Sequence, residues 1–110
     1  MSQLASKKCV PCSKGTKKLS EEEVRNLLQE VPEWKLGPNK DRIAREFGFP
    51  EFAPAMVFVN QVAALAEEEG HHPDFHVHYN KVKLVLWTHA IGGLHDNDFV
   101  MAARIDRLAP

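Results

Sequence analysis

The chain has 110 residues, 44% of them hydrophobic and 26% charged, with a net charge of −1 at pH 7. That length suits one domain with one core, and the balance is too apolar for a disordered chain. The near-zero charge supplies no field for nucleic acid or an anionic membrane, and no apolar run approaches the roughly 20 residues that span a bilayer, so neither partner is expected.

Residues 1–18 read as a flexible basic arm ahead of a single domain over residues 19–110. The N-terminal lysines precede no apolar block, so no secretory signal is expected and the cytoplasm is the expected location. Both cysteines of the chain lie in Cys9-Val10-Pro11-Cys12. A structural zinc site needs four ligands, and a thioredoxin-type redox pair needs a strand-to-helix junction. Neither requirement is met among these lysines and serines, so the motif reads as two thiols on a loosely ordered segment.

Leu19-Ser20-Glu21-Glu22-Glu23-Val24 is a helix start, with Ser20 and Glu23 spaced as a capping box. Leu19, Val24, Leu27, Leu28 and Val31 form its apolar stripe, and Pro32 ends it. Trp34 to Leu36 reads as a short strand, Gly37-Pro38-Asn39-Lys40 as a turn, and Ile43 to Phe49 as the second strand of a hairpin. Pro50 breaks that strand. A long helix follows from Ala55 to Glu69, with Pro54 in its first turn and Gly70 as its stop. Its stripe, Phe52, Met56, Val59, Ala63 and Ala66 widened by Phe58, Val62 and Leu65, is broad enough to pack on a sheet and on another subunit.

Two further strands follow, over Asp74–Tyr79 and Lys81–Trp87. Placing a two-residue turn at Asn80-Lys81 pairs Tyr79 with Val82, Val77 with Leu84 and Phe75 with Leu86, all apolar and on one face. Continued through Pro73, that register sets His72 opposite His89. A last helix runs from about His95 to Leu108, buried through Phe99, Ala102, Ala103 and Ile105. The expected architecture is α+β, in the order α-β-β-α-β-β-α, with three helices on one face of a four-stranded antiparallel sheet.

Five of the six histidines fall between His71 and His89. His76 and His78 have the opposite parity to the apolar set and read as exposed. His71, His72 and His89 converge in the expected register, where neutral imidazoles can donate or accept protons. As metal ligands they lack a carboxylate, unless Glu67, four residues before His71, supplies one.

Glu67-x3-His71-His72-Pro73-Asp74, followed by Tyr79-Asn80-Lys81-Val82, Thr88-His89, Gly93-Leu94 and Asp98, resembles the pterin-4a-carbinolamine dehydratases, which share the dimerisation-cofactor fold. The resemblance covers about Leu19 to Leu108. It implies a homodimer or homotetramer that loses water from a 4a-hydroxytetrahydropterin to give quinonoid dihydropterin, in tetrahydropterin recycling beside an aromatic amino-acid hydroxylase. It also implies His71 and His89 as acid and base and His72 as a substrate-holding residue. Glu67 would hydrogen-bond His71, and Pro73, Thr88, Ala90 and Ile91 would line the pocket. Asp98 would serve chiefly the helix start, and no metal or cofactor is implied. Trp87 stands where small or polar residues are common in that family and is expected to wall the pocket or meet another subunit. His95 takes a usual Ser or Thr cap position, so the helix is expected to start one residue later, capped by Asp96. A transcription-factor binding module and a metal-dependent hydrolase are the alternative readings; three convergent histidines favour an enzyme over the first.

Overall fold

The computed structural model describes residues 4–10 and 15–109. After a 3₁₀ turn at Leu4–Ser6 come α1 (Glu21–Leu28), β1 (Lys35–Leu36), β2 (Ile43–Gly48), α2 (Phe52–Glu69), β3 (Asp74–His78), β4 (Lys81–Leu86), a second 3₁₀ turn (His89–Ile91) and α3 (Asp96–Leu108). The four strands form one antiparallel sheet in the order β1-β2-β4-β3. This is the expected α+β architecture. Among the described residues no helix is long and apolar enough to cross a membrane.

Strand alternation decides which face the helices cover. Ile43, Phe47, Val82, Leu84 and Leu86 share one parity and are at most 4% exposed, whereas Glu46, Gly48, Lys81 and Lys83 of the opposite parity are open to solvent. Onto the apolar face α2 brings Ala55, Phe58, Val62 and Leu65, and α3 brings Phe99, Met101, Ala102 and Ile105. Trp34 is fully enclosed, edge-on to Phe47, and its indole N–H donates to Asp106 at 2.9 Å. At α1 the expected capping box is present: Glu23 donates its amide to Ser20 Oγ, and the Ser20 amide donates to Glu23 Oε1.

Three features differ from the sequence reading. The loop of the second hairpin is Tyr79–Asn80, so Val77 pairs with Val82 and Phe75 with Leu84, two residues away from the expected register. Asn80 explains the slip, because its side chain and its carbonyl oxygen both bond Phe49, tying the hairpin tip to the end of β2. The ladder ends at the Asp74–Val85 rung, so the rung between His72 and His89 does not form. Second, α2 starts at Phe52, three residues before the expected Ala55, and Phe52, expected on the buried stripe, is 49% exposed. Third, the leader is anchored at Leu4, Ala5 and Cys9, while Ser6 to Lys8 stay exposed. Leu4 is 4% exposed and joins the core beside α3. Cys12 lies outside the described residues.

Gly70 ends α2 in the left-handed region, φ 66° and ψ 27°, and both its amide and that of His71 bond back to the Ala66 carbonyl. This turn sets the direction in which the chain leaves the helix, and so the place of His71. An added Cβ would meet nothing within 4 Å, which leaves backbone strain as the one penalty. Gly70→Ala is therefore expected to lose about 1–2 kcal/mol, or roughly 5–10 °C in a thermal melt.

Candidate active site

The site forms where the end of α2, the end of β4 and the start of α3 meet. His71 Nε2 lies 2.6 Å from Asp98 Oδ1, and Asp98 is completely buried. The other carboxylate oxygen accepts from the Thr88 hydroxyl at 2.8 Å and from the His95 amide at 3.0 Å. A carboxylate can only accept, so with Asp98 in that form His71 donates from Nε2. Its Nδ1 is then the nitrogen left to take a proton. Asp98 thus does more than begin a helix. It completes a capping box with His95, whose own Nδ1 accepts the Asn97 amide at 3.2 Å, so His95 and not Asp96 caps α3.

Glu67 does not meet His71. It pairs with His72, Oε2 to Nε2 at 2.5 Å, on the exposed rim. On a helix, residues four apart share a face, but His71 has already left α2 through the Gly70 turn and faces Asp98 instead. His89 opens the 3₁₀ turn after β4, where the loop is closed by Thr88 and Gly93 exchanging amide–carbonyl bonds. Its ring stacks on Trp87 at 4.0 Å, and the Arg42 guanidinium lies 4.5 Å from the Trp87 ring. The Trp87 indole N–H donates to Asp74 at 3.3 Å, so Asp74 and Arg42 together hold the ring on which His89 rests.

One cleft of about 520 Å³ gathers His71, His72 and His89 with Trp87, Thr88 and Ala90. That size suits a small organic molecule. Glu67, Pro73 and Ile91 do not line it; Glu67 reaches it only through His72. The sequence reading missed Val10, Glu69 and Asn97, which do line it, and had placed Cys9 on a loose arm. One signal was available for Glu69. Three consecutive carboxylates at Glu67–Glu69 occupy the negative end of a helix dipole, where they need cationic or N–H partners. Glu69 finds the Cys9 amide at 2.7 Å and Arg104 at 2.9 Å. Among the described residues no group of three His, Cys, Asp or Glu side chains is arranged to hold a metal ion.

The Cys9 amide, and after it Arg104, hold the Glu69 carboxyl below the usual carboxylate range. A lowered folded-state pKa stabilises the fold at neutral pH, and that contribution is lost as pH falls through the lowered value, below about 4.3. The difference in melting temperature between the native protein and Glu69→Gln is therefore expected to be constant from pH 7 to 5 and to shrink on further acidification. A gap independent of pH down to 3 would contradict this assignment.

Residues 17–108 match the family model described as pterin 4 alpha carbinolamine dehydratase. A relative from Marinobacter nauticus, provisionally given that dehydratase name, is 46% identical over 110 residues, covering 98% of this chain and 99% of its own. Pterin-4-alpha-carbinolamine dehydratase 2, mitochondrial, from Arabidopsis thaliana is 44% identical over 112 residues, 98% of this chain and 60% of its own. Among solved structures, a transcriptional coactivator/pterin dehydratase from Brucella melitensis superposes with a TM-score of 0.82 at 32% identity, over 86% of this chain and all of its own. A histidine-lined cleft on the same fold, with the family match running over nearly the whole body, places the chain in the pterin-4a-carbinolamine dehydratases, a family of hydro-lyases.

Proposed function

We propose that the chain removes water from a 4a-hydroxytetrahydropterin by histidine acid/base chemistry, without a metal or other cofactor, and so serves tetrahydropterin recycling. The observation that carries this reading is the grouping of His71, His72 and His89 on one cleft, with His71 fixed by a buried carboxylate. Elimination breaks the bond from C4a to the hydroxyl oxygen. One proton goes to the departing hydroxyl, one leaves the adjacent ring nitrogen N5, and the nitrogen lone pair closes the new C=N bond. Each proton needs a group whose ordinary pKa is near neutral, and imidazole meets that requirement. His71, with Nδ1 as acceptor, suits the base. His89, stacked and exposed on the facing loop, suits the acid, and His72 suits a substrate-holding role on the rim.

The same reading carries a homodimer or homotetramer. β3 is an edge strand with Val77 37% exposed, the hairpin loop after it leaves Tyr79 65% exposed, and α2 leaves Phe52 and Val57 uncovered, apolar surface that a second copy would bury. It also carries an aromatic amino-acid hydroxylase as the source of the carbinolamine.

The deciding experiment follows quinonoid dihydropterin formation from a 4a-hydroxytetrahydropterin, with EDTA present and absent. Acceleration over spontaneous dehydration, unchanged by EDTA, is expected. A rate no faster than the spontaneous one removes the reading, and abolition by EDTA restores a metal-dependent one.

A further inference from the structure

We infer that Cys9 and Val10 form a substrate-facing wall of the cleft, and that Asn97 and Glu69 are positioning residues that hold this wall in place. The inference rests on the dehydratase reading above and extends it to a segment that the proposed chemistry leaves unused.

The leader is tied down at both residues that reach the cleft. Asn97 treats Val10 as a strand would: its Oδ1 accepts the Val10 amide at 2.9 Å, and its Nδ2 donates to the Val10 carbonyl at 2.6 Å. Asn97 is only 3% exposed, so both bonds lie largely out of water, where leaving them unmade is expensive. The Cys9 amide donates to Glu69, itself held by Arg104, and Cys9 Sγ reaches the Asn97 carbonyl at 3.7 Å. Upstream, Leu4 is anchored in the core.

Ordering each residue of such a segment opposes folding by about 1–2 kcal/mol, so a leader serving only as a tail has no need of this clasp. The clasp also shares its footing with the chemistry. Asn97 holds the wall, and the next residue, Asp98, holds His71, so a single turn of α3 sets the distance between them. Val10 completes the argument. It is apolar, 56% exposed, and on the cleft, so the face of a bicyclic pterin entering there covers surface that water now wets.

The test compares Val10→Gly, Asn97→Leu and the native protein in steady-state dehydratase kinetics. Hydrogen exchange of the Cys9 and Val10 amides is measured alongside, with and without a 7,8-dihydropterin, which lacks the 4a-hydroxyl and cannot react. Val10→Gly is expected to raise KM about 3–10-fold with kcat within twofold and an unchanged melting temperature, since the side chain is exposed. Asn97→Leu is expected to raise KM at least as much, and the dihydropterin to slow exchange at both amides in the native protein. KM within 1.5-fold of native in both variants, with exchange indifferent to the pterin, overturns the wall. A native protein without dehydratase activity would tell against the dehydratase reading instead, and the exchange arm would still decide the wall.

Discussion

His71→Ala is expected to keep its fold and lose about 10²–10⁴ of the dehydratase kcat, the usual range for removing a positioned acid/base group. His71 is the most enclosed of the three cleft histidines, its side chain 12% exposed, and the one anchored to a fully buried partner. Removing its ring deletes the proton acceptor and frees Asp98 Oδ1, which water entering the vacated space can satisfy, so the stability loss stays within about 1–3 kcal/mol. His72→Ala is expected to act mainly on KM, because its pairing with Glu67 lies on the rim with side chains 59% and 78% exposed. Single-turnover rates at saturating substrate separate the two effects. A His71→Ala enzyme within tenfold of the native kcat would remove His71 from the chemistry and shift the base role to His89.

Local signals carried most of the architecture. The Ser20–Glu23 capping box, the Gly70 stop and the alternation at the start of β4 are short-range chemistry, and each appears where the residues place it. Alternation fixes a register only to within two residues, however, since a slip of two keeps every side chain on its face. What chose between Asn80-Lys81 and Tyr79-Asn80 as the loop was the pair of bonds from Asn80 to Phe49, 31 positions away. The predicted meeting of His72 and His89 across a ladder failed for that reason, although both line one cleft. The leader was illegible for a similar cause. Leu4 is one apolar residue without a periodic companion, and its burial depends on a groove built by α3 much later in the chain. The resemblance implied Glu67 beside His71, but the four-residue spacing that would bring them together on a helix stops applying once Gly70 turns the backbone.

Asp98→Asn is expected to separate geometry from stability at this site, with a kcat loss of about 10²–10³ and little unfolding. Asparagine keeps one oxygen and replaces the other by an NH₂ donor. If the oxygen stays on the His95 amide and the Thr88 hydroxyl, the NH₂ group faces His71 Nε2 and requires it to accept. The ring hydrogen then moves to Nδ1, the nitrogen that should receive the proton, and catalysis falls while packing survives. Asp98→Ala is harsher. It leaves the Thr88 hydroxyl, the His95 amide and the His71 ring nitrogen without their shared acceptor in a position that is 0% exposed. At about 1–3 kcal/mol for each unsatisfied group, partly relieved by water, a total loss of roughly 3–5 kcal/mol is expected, a large fraction of the stability of a small domain. Denaturant melts read the second effect. The first is read by the ¹⁵N shifts of the His71 ring, which should exchange their protonated and unprotonated identities between the native protein and Asp98→Asn. An asparagine variant with native kcat and an unaltered His71 tautomer would reduce Asp98 to the helix-capping role alone.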